Sequence, residues 1–404
     1  MSTGQHSLVF LTTLEAGLAP THRLDPPLWG GHGKEKALPR LRKRTTAVGG
    51  SAAMLDYVFR IVRVVEGSNY VSECTQYTAE TRLSYCRHLR TVREHLMYLV
   101  NTREIVGEEE TMAVDEEFWK RCRDEKTIWP YLLKVCRWDE ESEPKLAEFT
   151  RKYSEDGENW RVLESEVRRL DEEEFNADED ALLRQFSANL HRIEKDVERC
   201  DRNLIFFSNK ENLEALRRAM VTYVWRNLED GYIQGMCDIM APLLVVFEDE
   251  ALTVECFTMI MTRLRDNFPH RTGMDICLMN FRSLIQVVDP QVFALLTSTS
   301  DATHLYFSYR WFLLDFKREL SYDSIFRVWE TIWAAARTFT PHFPLFFGLA
   351  MVTNYREVIV ANKMDFTDMI KFFNEMSERH DCSRLLTAAR THVRRLQNLV
   401  QHLR

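Results

Sequence analysis

Nowhere in the 404 residues is there a run of about 18 apolar side chains, so no segment reads as a membrane-spanning helix. The best candidate for a secretory leader, residues 8–19, carries Glu15 and lacks a basic start, and it reads as non-secretory. The nine cysteines stand singly, without a C-x-x-C or a neighbouring Cys/His cluster, so neither zinc nor a disulfide framework is indicated. Their odd, scattered pattern fits a reducing compartment. No basic run is interleaved with aromatics, and a net charge of −8 argues against general nucleic-acid binding. H-E-x-x-H and G-x-S-x-G are missing. Gly30-Gly-His-Gly33-Lys34 lacks the spacing of a phosphate loop. Cys237 has no histidine near it in sequence and suits a small core thiol.

What is present is globular: 45% hydrophobic and 28% charged residues. Residues 1–50, rich in Pro, Gly and Thr, read as a flexible, partly disordered leader. Their basic cluster, Arg40, Arg42, Lys43 and Arg44, is at most a weak anchor to anionic membrane. Residues 51–117 read as a partly helical linker, with one short strand over 57–65 and a helix over 80–100. Residues 139–180 hold 17 acidic against 6 basic side chains, a local balance of −11 that leaves the rest near +3. Such a run predicts a solvated, flexible loop between helices.

Beyond it the chain reads as helix after helix. Phe186, Leu190, Ile193 and Val197 fall at spacings of four, three and four and give one buried stripe. Asp196 and Arg199, three apart, are neighbours on the flank of that stripe, where the carboxylate could hold the guanidinium. Residues 200–203 read as the turn that ends the helix. Ser208 and Glu211 suggest a capping box for a second helix running to Glu229. Asp230-Gly231 stops it with a residue able to take a positive φ. Gln234 then follows a break, and the glycines on either side let another backbone approach closely. Further helices are expected over 242–247, 251–264, 280–296, 304–314 and 343–352, with Trp329 and Trp333 sharing a face. Asp365 and Asp368 cap one more helix. An amphipathic helix bearing Arg394 and Arg395 closes the chain over 381–404.

Ile193-Glu-Lys-Asp196-Val-Glu-Arg199 resembles the I-x-x-D-x-x-R block of TBC domains, and Tyr232-Ile-Gln234-Gly235 resembles their Y-x-Q-G block. Each pattern alone is common: the first is usually a surface ion pair worth under about 1 kcal/mol, the second a helix-breaking turn. Together, in order, they are specific. Trp129-Pro130-Tyr131-Leu132-Leu133 resembles the opening block of the same family. Glu125 and Lys126 stand where the family usually has an arginine after a glycine. Tyr309-Arg310-Trp311-Phe312-Leu313-Leu314-Asp315-Phe316 is similar to the small-G-protein signalling modulator subfamily. There an N-terminal RUN domain and a Rab-binding PH-like region accompany the TBC domain. Residues 1–117 show no RUN pattern, as in a truncated or divergent member.

The resemblance implies an all-α, multi-helix TBC domain over 118–380, with 139–180 as an acidic insertion. It implies a GTPase-activating protein for Rab-type small GTPases in vesicle trafficking, cytoplasmic or peripheral on endomembranes, with no hydrolytic activity of its own. Arg199 would be the arginine finger and Gln234 the glutamine finger, with Asp196, Ile193, Tyr232 and Gly235 in support. No metal or cofactor belongs to the chain, because the partner carries GTP and Mg²⁺. The alternative is a TBC-shaped scaffold that holds a Rab or Rap GTPase without accelerating hydrolysis. Which GTPase is bound depends on a surface spread over many helices.

Overall fold

The computed structural model describes residues 93–100, 128–137, 140–172, 181–269, 271–296, 305–338 and 340–402. Every regular element among them is a helix, so the all-α expectation holds for the described residues. In chain order these are α1 (Trp129–Leu132), α2 (Ser142–Glu172), α3 (Ala181–Arg199), α4 (Lys210–Arg226), α5 (Met236–Phe247) and α6 (Glu250–Leu264). Then follow α7 (Gly273–Val288), α8 (Pro290–Leu296), α9 (Tyr309–Leu313), α10 (Tyr322–Thr338), α11 (Phe343–Asn354), α12 (Arg356–Ala361), α13 (Phe366–Glu375) and α14 (Cys382–His402). The expected leader over 1–50, the strand over 57–65, and Glu125 and Lys126 lie outside the described residues. Of the helix expected over 80–100, residues 93–100 are described and are helical.

The chain divides into two compact units. Among the described residues, one gathers those within 128–271 and 310–334, the other those within 93–100, 272–309 and 335–402. In the first, α4 is the hub, packed by α2, α3, α5 and α6. Its sequence accounts for this: Leu213, Leu216, Met220, Val221 and Val224 are all buried, together with Ala219, Thr222 and Tyr223, so apolar surface runs round most of the helix. Replacing the fully buried Leu216 by alanine would cost about 2–5 kcal/mol. The cap of α4 is Asn209, whose side chain accepts from Glu211 N; the expected Ser208 lies one residue early, in a 3₁₀ turn over Ile205–Ser208. The helix ends at Arg226, three residues sooner than its apolar period suggested.

Trp129 sits completely buried at the start of this unit. Its indole N–H donates to Glu330 at 2.8 Å, and the rings of Phe326 and Trp333 stand edge-on to it at 5.3 and 5.1 Å.

The acidic stretch is not a loop. Most of it is α2, a helix of 31 residues. Positions 146, 149, 153, 156, 160, 163 and 167 recur at alternating threes and fours, and none of them is exposed. Trp160 and Val167 are buried. The Trp160 indole donates to Thr222 Oγ1 on α4 at 3.0 Å. Acidic side chains that fall on the inner face meet arginines: Asp156 accepts from Arg226 at 2.6 Å, and Glu164 from Arg217 at 2.9 Å. The remaining charge faces water, which is why the run looked solvated.

In the second unit, α11 is apolar all round and packs against α7 and α14. The helix expected over 280–296 is two helices. Pro290 has no N–H to continue the first, and the Asp289 carboxylate caps the second by accepting from Val292 N. Asp365 and Asp368 form the expected capping box. On α14, Leu385, Leu386, Ala389, Val393 and Leu396 turn inward while Arg394 and Arg395 are exposed. His95 is buried and His342 half-buried in this unit, and loss of solvent lowers both from about 6.5 to about 4.

Candidate functional site

Arg199 is the last residue of α3. Leu183, Phe186, Leu190, Ile193 and Val197 fill the inner stripe, so nothing in the packing requires Arg199. The chain turns away at once, with Cys200 N donating to Val197 O at 3.1 Å. The Arg199 side chain is 57% exposed, and its guanidinium rests on the carboxylate of Asp196.

The second half of the site is the turn between α4 and α5. Gly231 takes φ +64°, and a Cβ there would come within 2.9 Å of Asn189 Oδ1. That carboxamide has a use: Tyr232 N donates to Asn189 Oδ1 at 2.8 Å, while Asn189 Nδ2 donates to Gln185 O on its own helix. Tyr232 is thereby drawn under α3, and its hydroxyl donates to Asp196 Oδ2 at 2.6 Å. Gly235, at φ +102°, is the N-cap of α5, and Leu314 Cδ2 would lie 2.7 Å from any Cβ placed on it. Gln234, between these constraints, is exposed.

Asp196 therefore joins the two blocks, with one carboxylate oxygen toward Arg199 and the other toward Tyr232. Gly235 N lies 3.5 Å from the same Oδ2. Ile193 is 1% exposed and serves as core beneath them. The end of α3 presents a guanidinium with five N–H donors and a permanent charge. Across the Asp196–Tyr232 bond, the turn before α5 presents the Gln234 carboxamide, which both donates and accepts. Burial holds the Tyr232 hydroxyl far above its ordinary pKa, with Cys237 and Asp196 adding to the effect, so it stays a neutral donor. Burial likewise raises the Cys237 thiol, which fits the expected core role. Among the described residues no group of three or more His, Cys, Asp or Glu could hold a metal ion.

The family model described as Rab-GTPase-TBC domain matches residues 124–360, more than half of the chain. The chain belongs to this family. The TBC domain therefore contains both paired blocks. A further description, Rab-binding domain (RBD), matches residues 1–39, where composition suggested only a leader. The chain is 48% identical to Rab GTPase-activating protein tbc-8 of Caenorhabditis elegans, across all of this chain and 56% of that protein. It is 55% identical to Small G protein signaling modulator 1 of Homo sapiens, across 55% of this chain and 19% of that protein. The chain thus spans about half of the first relative and a fifth of the second. The solved Ypt/Rab-GAP domain of Gyp1p shares the fold, with a TM-score of 0.55 and 15% identity over 77% of this chain and 99% of that one.

Within the TBC domain, three contributors to the site escaped the sequence. Asn189 is a polar residue set between Phe186 and Leu190 and buried, a pattern that asks for a hydrogen-bond partner. Leu314 stands in the Tyr309–Phe316 stretch, yet nothing in sequence pairs it with Gly235. Arg318 grips the first turn of α5, with Nε and Nη2 both 2.9 Å from the Asp238 carboxylate.

Proposed function

We propose that the chain is a GTPase-activating protein for Rab-type small GTPases, with Arg199 and Gln234 as the two groups it inserts into the partner's site. The observation that carries this reading is the Asp196 carboxylate, which holds the end of the Arg199 helix to the glycine-flanked turn of Gln234. Membership of the family supports it.

A GTPase alone hydrolyses slowly because charge on the phosphates is incompletely met and the attacking water is loosely held. An arginine supplied in trans raises the rate about 10³–10⁵-fold, or lowers the barrier by roughly 4–7 kcal/mol. Arg199 suits this because its planar fork meets phosphate oxygens bidentately and keeps its charge. Gln234 can accept from the water while donating to the partner's backbone. GTP and Mg²⁺ come with the partner, and the chain supplies no cofactor. No helix among the described residues is long and apolar enough to cross a membrane. Peripheral association with endomembranes in vesicle trafficking is part of the same proposal.

The test is single-turnover GTP hydrolysis by a panel of GTP-loaded Rab proteins, with a Rap protein included. Acceleration of at least one Rab by 10²-fold or more is expected. Binding without acceleration anywhere on the panel would leave a scaffold.

A further inference from the structure

Two residues beyond Arg199 the chain adopts a backbone state that side chains rarely take: Asp201 has φ +43°. Strained non-glycine residues persist where the surroundings over-determine them, and here they do. Asp201 Oδ1 accepts from Lys317 Nζ at 2.8 Å, and Oδ2 accepts from the Tyr322 hydroxyl at 2.5 Å. The Lys317 ammonium also lies 4.7 Å from the centre of the Tyr322 ring. Lys317 is only 6% exposed. Lysine is seldom buried unless paired, and such a pair is weak evidence for stability because desolvation offsets the attraction. What a buried pair does supply is a fixed geometry.

The same short turn that bears Lys317 reaches the other half of the site. Leu314 fills the space above Gly235, and Arg318 holds Asp238 on α5. Asp315 and Phe316, at φ +49° and +65°, are fixed by Arg263 on the Asp315 carboxylate and by the Trp329 indole donating to Asp315 O at 2.8 Å. Cys200, between Arg199 and Asp201, points its thiol at Cys237 O, 3.8 Å away. One turn, residues 314–318, thus grips both the exit from the arginine's helix and the start of the helix after the glutamine.

We infer that Asp201, Lys317 and Tyr322 are positioning residues for Arg199, a lock on the chain where it leaves α3 that holds the arginine in register with the Gln234 turn. The inference rests on the GTPase-activator reading. None of the three needs to touch the partner.

The test uses Tyr322→Phe and Lys317→Met in the full chain, with two readouts. Amide hydrogen exchange over residues 197–204 is expected to accelerate in both variants and to stay unchanged in helices remote from the turn. Single-turnover hydrolysis on a Rab that responds to the wild-type chain is expected to show a KM within twofold of wild type and a kcat about ten-fold lower, since small misplacements of a catalytic group are costly. A kcat equal to wild type in a folded variant would overturn the inference, and so would a rise in KM alone, which would make the turn a docking contact. If Lys317→Met does not fold, Tyr322→Phe, which removes a single hydroxyl, decides. If no GTPase responds to the wild type, the functional reading fails, while unchanged exchange over 197–204 would separately overturn the lock.

Discussion

The hydroxyl of Tyr232 donates to Asp196 Oδ2 at 2.6 Å, a bond between residues 36 positions apart that ties α3 to the turn before α5. Sequence alone makes Asp196 a holder of the Arg199 guanidinium, in a surface pair worth under about 1 kcal/mol. The buried tyrosine changes that expectation. In Asp196→Ala the Tyr232 hydroxyl loses its acceptor, at a cost of about 1–3 kcal/mol. Urea unfolding should show the loss. Asp196→Asn, which keeps an acceptor, should lose less, and equal stability of Asp196→Ala and wild type would show the bond to be idle.

Replacing either outward group should leave the fold intact, because Arg199 and Gln234 are exposed and neither fills the core. Arg199→Lys and Gln234→Ala should melt within a degree or two of wild type and still bind a GTP-loaded Rab. The arginine variant should lose at least about 10² in kcat, since an ammonium cannot reproduce the planar fork. Groups acting as a unit are non-additive, so the double variant should be scarcely slower than the more impaired single. Full activity of both singles would remove these residues from the mechanism.

Gly235→Ala should be costly for two reasons that can be separated. Its φ of +102° is strained for any residue with a Cβ, about 1–3 kcal/mol. Its new methyl would also press on Leu314 Cδ2 at 2.7 Å. Trimming Leu314 to alanine in the same chain relieves only the contact, so most of the loss should remain. Complete recovery in the double variant would mean that the backbone strain is negligible.

For α2 the expected outcome is resistance where a loop would be cut. Trypsin under native conditions should spare residues 142–172 despite their six basic sites. Trp160→Ala should destabilise the chain by about 3–5 kcal/mol, as for a large aromatic removed from a core. Rapid cleavage within 142–172 would restore the loop.

Acid should weaken the unit that holds His95 and His342. Both stay neutral when folded down to about pH 4, whereas unfolded histidines protonate near 6.5. The unfolded state therefore binds more protons between those values. Stability should be flat above about pH 7 and fall by up to about 1.4 kcal/mol per pH unit per histidine between 6.5 and 4. Urea midpoints at pH 7.5 and 5 read this, and His342→Phe should reduce the difference by one histidine's share, with His95, His380 and His392 still lowered to about 4. An unchanged slope in that variant would rule the histidine out as a source.

The helices around the site were legible because their apolar residues keep a clean period, as Phe186 to Val197 and Leu213 to Val224 do. Gly231 and Gly235 announced the break between them. What stayed hidden depends on contacts between distant stretches. Nothing local says that Leu314 will lie over Gly235, or that Asn189 will receive Tyr232 N. The acidic helix is obscure in sequence for another reason: its inner face includes Asp156 and Glu164, whose arginine partners are on α4, so charge hides a period that Leu146, Phe149, Tyr153, Trp160 and Val167 still carry.

The resting contact of Arg199 with Asp196 sets a threshold on what can draw the arginine away. A visiting anion has to displace a carboxylate already in place, so a single negative charge gains almost nothing by competing. In the proposed activity, a string of phosphates would concentrate several charges, offer paired oxygens to the fork and win the exchange. In that activity, a side chain 57% exposed to water would answer to charge density before any match of shape is made.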